Sequence, residues 1–123
     1  MNARTILYVE DNEFNRKIVR QLLARTGYRL IEAFDGEAGV ALALAELPDL
    51  ILMDVQLPKM SGLDATRALR ADERMKQTPI VVITSFALSG DRERAADAGA
   101  TGYLAKPYSP RELLALVRQF LPE

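Results

Sequence analysis

Apolar residues follow two rhythms along this chain. Unbroken runs at 6–9 (Ile6, Leu7, Tyr8, Val9), 50–53 (Leu50, Ile51, Leu52, Met53) and 80–83 (Ile80, Val81, Val82, Ile83) read as strands buried on both faces. Runs at 28–33 and 101–105 are patchier, with Arg29 and Glu32 in one and Thr101 and Gly102 in the other. Between these runs the spacing turns helical. Phe14, Ile18, Val19, Leu22 and Leu23 share a helical spacing, and Gly27 is the expected C-terminal stop. Asp35 can cap an Ala- and Leu-rich helix that stops before Pro48. After the loop "VQLPKMSG", Ser61 and Asp64 suit a helix start, and a helix through "DRERAADA" ends at Gly99. The last helix opens with Ser109 as N-cap, Pro110 at its first position and Glu112 at its third. Its residues Leu113, Leu114, Val117, Phe120 and Leu121 make one apolar face.

Five strand–helix units with short connections predict an α/β fold: a doubly wound parallel five-stranded sheet, (βα)5, with helices on both sides. The continuously apolar strands belong in the centre and the patchy ones at the edges. Strand order 2-1-3-4-5 satisfies that requirement.

The length of 123 residues suits one domain, 1–123, and the chain is expected to carry no output domain. A net charge of −1 gives no footprint for nucleic acid or a membrane surface, and no apolar run approaches the roughly 18 residues of a span. The N-terminus enters a strand directly, without signal-peptide architecture, and zero Cys fits a reducing cytoplasm, so a cytoplasmic location is expected. With neither Cys nor His, thiolate and imidazole metal sites, thiol nucleophiles and Ser-His-Asp triads are excluded. Chemistry must come from carboxylates, hydroxyls, amides, Lys and Arg.

Those groups gather where strands end. Glu10 and Asp11 follow the first strand, Asp54 the third, Thr84 and Ser85 the fourth, and Lys106 and Pro107 the fifth. In a parallel sheet all these positions fall on one edge, beside the point where strand order reverses. Three carboxylates there repel one another, and a divalent cation relieves the repulsion. With oxygen ligands only, Mg²⁺ is the natural ion. Together with the Lys106 ammonium and the Thr84 hydroxyl it would stabilise a transferring phosphoryl group, with Asp54 as nucleophile forming an acyl phosphate. Taken singly, each residue has a plainer reading. The acid pair suits a helix N-terminus, Asp54 a turn, Thr84 a strand, Lys106 a solvated loop and Tyr103 simple packing. Their conjunction at four strand ends favours the site.

The pattern "ILYVEDN", "LILMDVQLP", "MSG", "PIVVIT", "GA-GYLAKP" resembles the receiver domain of bacterial two-component response regulators over essentially the whole chain. It is most similar to single-domain regulators of cell-cycle type and to receivers of hybrid kinases. The resemblance implies a CheY-like, flavodoxin-like fold. It also implies a phosphorelay role in which Asp54 takes a phosphoryl group from a phosphohistidine on a sensor histidine kinase or a histidine phosphotransfer protein. Asp11 and Asp54 would ligate Mg²⁺ directly and Glu10 through water, with the backbone carbonyl of Gln56 completing the protein ligands. Lys106 would contact the phosphoryl group, the Lys106–Pro107 bond would be cis, and Thr84 and Tyr103 would form the switch pair that alters a surface read by a downstream protein target. Such a domain catalyses its own phosphotransfer without being a conventional enzyme, and a monomer or weak homodimer is expected. Two departures stand out. Glu10 replaces the commoner Asp, which opens its role, and Ser85 and Phe86 stand where small or variable residues often occur; Gln56 and Phe86 flank the expected site at positions that tune dephosphorylation in this family. Rival readings are a binding-only pseudo-receiver, a haloacid-dehalogenase-type phosphatase and a flavodoxin-like cofactor binder. The phosphatase would need a second Asp where Gln56 stands, and the cofactor binder would need a phosphate loop where "EDNEFN" stands. Phe14, Asn15 and Ile18 either receive a partner helix or, for Phe14 and Ile18, pack in the core.

Overall fold

The computed structural model describes residues 3–85 and 90–122. Five parallel strands form one sheet: β1 (Thr5–Val9), β2 (Arg29–Ala33), β3 (Leu50–Asp54), β4 (Ile80–Thr84) and β5 (Gly102–Ala105). Their order is β2-β1-β3-β4-β5, with the expected central and edge strands. Every residue of β3 and β4 is buried, whereas β2 buries only Ala33 and β5 only Leu104.

Because side chains alternate along each strand, the sheet builds two cores. On one face Ile6, Tyr8, Leu50, Leu52, Val81 and Ile83 pack against α1 (Glu13–Leu23) and α5 (Pro110–Phe120). On the other, Leu7, Val9, Ile51, Met53 and Ile80 meet α2 (Gly36–Glu46), α3 (Gly62–Arg70) and a short 3-10 turn at Glu73–Met75. The remaining helix, α4 (Asp91–Ala98), lies beyond α3 and touches β5.

Side-chain caps set the helix starts. Asn12, Asp35, Ser61 and Ser109 accept the backbone N–H of Asn15, Ala38, Asp64 and Glu112, and Ser109 with Glu112 completes a reciprocal capping box behind Pro110. Gly99 ends α4 at φ 103°, a left-handed position that favours glycine.

One local expectation differs from the structure. Helix α1 stops at Leu23, four residues before Gly27. Its last turn is closed by Thr26, whose N–H and hydroxyl both bond to the Leu23 carbonyl, at 3.0 and 2.6 Å. Gly27 therefore caps nothing, and a Cβ built there would meet no atom within 4 Å. Gly27→Ala should raise stability by about 0.4–1 kcal/mol by restricting the unfolded chain, visible as a higher urea midpoint with unchanged slope. Of the two readings open for Phe14 and Ile18, core packing does not hold, since they are 69% and 42% exposed and take no part in the core that Val19 and Leu23 join.

Candidate functional site

Strand register carries the acids together. Val9 pairs with Met53, so the next residues, Glu10 and Asp54, come side by side at the carboxyl edge, and Asp54 in turn pairs with Ile83. Ligand oxygens of Glu10, Asp11 and Asp54 lie within 4.8 Å of one another, with Glu10 and Asp54 buried and Asp11 exposed. From the end of β5, Lys106 places its Nζ 2.8 Å from Asp54 Oδ2 and 3.0 Å from Glu10 Oε1. The Lys106 backbone N–H bonds to the Thr84 carbonyl at 2.7 Å, which ties the lysine to β4. The Lys106–Pro107 peptide bond is cis.

Glu10 is held more tightly than any acid beside it. Its Oε1 accepts from the Tyr8 hydroxyl at 3.3 Å and from Asn15 Nδ2 at 3.2 Å, besides Lys106, while Oε2 accepts the Asn12 N–H at 3.2 Å. The longer side chain of Glu reaches all of these donors, which gives the departure from Asp at this position a physical basis. Asp54 accepts one further bond, from the Gln56 N–H to Oδ1 at 2.9 Å.

The two buried acids are pushed apart in affinity for a proton. Burial raises Asp54, the negative charge of Glu10 adds to the rise, and the Lys106 and Gln56 hydrogen bonds offset it only partly, leaving Asp54 at about 6. Burial also acts upward on Glu10, but hydrogen bonds shared with Asp54 and donated by Lys106 and Asn12 outweigh it, so Glu10 lies below the usual glutamate value. Burial would lower Lys106, yet the two carboxylates hold it above the ordinary lysine value. A proton entering the pair therefore goes to Asp54.

Mg²⁺ fits this donor set. Three carboxylates converge, every ligand is a hard oxygen, and Asp54 is pushed toward protonation by burial and by Glu10, a cost that a hard dication removes.

Thr84 is buried at the end of β4 and Tyr103 is half-buried in β5, opposite Val82. Both line one cavity of about 220 Å³, with Val55, Leu63, Asp91 and Ala95 among its walls, and Arg92 stacks 5.0 Å from the Tyr103 ring centre. The side-chain Oε1 of Gln56 accepts the Ser85 hydroxyl at 2.6 Å. Phe86 lies outside the described residues. A second cleft of about 420 Å³, lined by Asn15, Ile18, Ser85, Lys106, Pro107 and Tyr108, opens over the lysine.

Sequence reasoning did not assign Tyr8, Asn12, Asn15 or Arg16 to the site. Tyr8 had a usable signal, since a strand places residues two apart on one face and so aligns its hydroxyl with Glu10. Asn15 enters the sequence reading only as part of a face that could receive a partner helix.

With this geometry in place, similarity to known proteins is decisive. The response regulator receiver domain family matches residues 6–118. The chain belongs to this family. It is 39% identical to the polar-differentiation response regulator DivK of Brucella ovis over 119 residues, 97% of each chain. In structure it resembles the receiver domain of a Pseudomonas aeruginosa sensor histidine kinase, with TM-score 0.90, 38% identity and 99% and 100% of the two chains covered. That receiver holds a magnesium ion in its active-site cleft. It also resembles the chemotaxis response regulator CheY4 of Vibrio cholerae, with TM-score 0.91, 31% identity and 97% and 99% covered, and so has the CheY-like, flavodoxin-like fold. The chain is thus a response-regulator receiver of two-component signalling, a class that interacts with histidine kinases or phosphotransfer proteins and with downstream targets. Among the described residues no helix is long and apolar enough to cross a membrane.

Proposed function

We propose that this receiver accepts a phosphoryl group from a phosphohistidine onto Asp54 and uses it to switch a protein-binding surface. The observation that carries the reading is the convergence of Asp54, Glu10, Asp11 and Lys106 at one sheet edge. A carboxylate oxygen of Asp54 attacks phosphorus, the P–N bond of the donor breaks, an acyl phosphate forms, and the donor imidazole recovers a proton. Lys106, already bonded to Asp54, neutralises a phosphoryl oxygen as charge builds. Asp11, Asp54 and the Gln56 carbonyl would hold Mg²⁺ directly and Glu10 through water; the ion supplies charge neutralisation for the phosphoryl oxygens. Glu10, saturated by four donors, keeps Lys106 in place.

Phosphorylation adds about −1.5 to −2 charge and strong acceptor oxygens. The Thr84 hydroxyl moves toward them, and Tyr103 enters the space the two residues share. The surface of α4, β5 and α5 shifts with it, by differential stabilisation of a few kcal/mol. The donor docks where Phe14 and Ile18 stand exposed beside the cleft over Lys106. The protein thus catalyses its own phosphotransfer and probes its partners by surface rather than turning over a metabolite.

Acetyl phosphate with Mg²⁺ tests this. Wild type should gain one phosphoryl group by intact mass spectrometry, and Asp54→Asn should gain none. Stoichiometric labelling of that variant would put the nucleophile elsewhere. A wild type that takes no label would indicate a receiver that only binds.

A further inference from the structure

Among the described residues three charged side chains are buried: Glu10, Asp54 and Arg16. The first two form the site, whereas Arg16 lies on α1 and only 7% of it is exposed. Burying a guanidinium is costly unless its donors are matched, so its partners reveal its use. Nη2 pairs with Glu13, and Nε faces Glu32 at 3.5 Å without a hydrogen bond. Glu32 is itself gripped by both arms of Arg20, at 2.9 and 2.8 Å. The Phe34 ring covers the Arg16 guanidinium at 4.0 Å, which explains why that aromatic stands at the surface.

The remaining donor, Nη1, reaches the main-chain carbonyl of Glu10 at 2.9 Å. That carbonyl lies one residue past Val9, the last β1 residue in the ladders with β2 and β3. It belongs to the planar peptide whose two ends carry the side chains of Glu10 and Asp11. The Glu10 N–H is pinned by the Ala33 carbonyl at 3.0 Å, so the sheet holds one side of Glu10 and Arg16 holds the other. We infer that Arg16 is a positioning residue for the cation site, fixing the Glu10–Asp11 peptide plane so that both carboxylates face Asp54. This inference rests on the Mg²⁺ site proposed above.

The test is Mg²⁺ affinity by isothermal titration calorimetry, at a temperature where every variant is folded by circular dichroism. Partners that orient metal ligands typically cost 10–100-fold in affinity when removed. Arg16→Met should therefore bind Mg²⁺ about tenfold or more weakly. Arg16→Lys, whose ammonium can still reach the carbonyl, should recover part of the loss. Val19→Ala weakens the α1 core without touching the Glu10 carbonyl, and should bind as wild type does. If Arg16→Met does not fold, Arg16→Gln replaces it, since its amide is too short for that carbonyl. Affinity within about twofold of wild type in the Met or Gln variant overturns the role, as does an equal loss in Val19→Ala. A wild type without Mg²⁺ affinity overturns the metal site itself, a result distinct from either.

Discussion

A methyl group at Gly62 is expected to destabilise the fold by at least about 3 kcal/mol, more than one at Gly39 or Gly27. A Cβ at this position would stand 2.0 Å from the Asp54 carbonyl oxygen and 2.7 Å from its carbonyl carbon. Both atoms are backbone and cannot rotate away. The Gly62 N–H bonds to the Val55 carbonyl at 2.9 Å, so the first turn of α3 lies directly on the end of β3. Relieving the clash must lift α3 or shift Asp54, so stability and the acid cluster suffer together. Gly39 provides the comparison. Its added Cβ would meet Val9 side-chain carbons at 2.9 Å, which can move, so Gly39→Ala should cost distinctly less. Urea midpoints should rank Gly62→Ala below Gly39→Ala and both below Gly27→Ala. An unchanged midpoint for Gly62→Ala would mean that α3 does not rest on β3 as described.

The strands could be read from sequence because burial on both faces demands unbroken apolar runs, and the three that have them occupy the centre of the sheet. Once strand order was known, Glu10, Asp54 and Lys106 had to share an edge. Phe14 and Ile18 show what periodicity cannot decide. They have the same spacing as Val19 and Leu23, and only the docked position of α1 separates exposed from buried. Helix α2 was easy to place and hard to orient, since it is apolar on nearly every side. Arg16 was hidden for a related reason. A charged residue on a helix reads as solvated, and its burial depends on Glu32 and Phe34, far away in sequence. Gly36 and Gly62 are legible only in three dimensions, where backbone from another segment passes over each.

Without divalent cations, Asp54→Asn should be more stable than wild type above pH 7, even though it destroys the phosphoacceptor. Burial and Glu10 raise Asp54 from the ordinary 3.8 to about 6, so the folded protein binds its proton more tightly than the unfolded chain does. The sign follows. Well below pH 3.8 both states hold the proton and the group costs nothing. As pH rises toward 6 the unfolded chain releases it first, stability falls, and the loss is complete above about pH 7. A shift of this size corresponds to roughly 1–3 kcal/mol, or a midpoint change of roughly 5–10 °C in thermal unfolding. Asn carries no charge at any pH, as the protonated acid does, and so escapes that cost. Glu10 acts in the opposite direction, since its lowered value loses stability only in acid below its ordinary 4.5. The two contributions thus have opposite signs: the Glu10 contribution is lost in acid, whereas the Asp54 cost grows toward neutral pH. Mg²⁺ should raise the wild-type midpoint at pH 7.5, leave Asp54→Asn nearly unmoved, and lose its effect below about pH 6, where the ion must compete with the Asp54 proton. Thermal scans of both proteins at pH 5, 6 and 7.5, with and without Mg²⁺, measure all of this. A wild type that outlasts Asp54→Asn at pH 7.5 without metal would mean that Lys106 already compensates the pair, and the electrostatic basis for cation recruitment would fail.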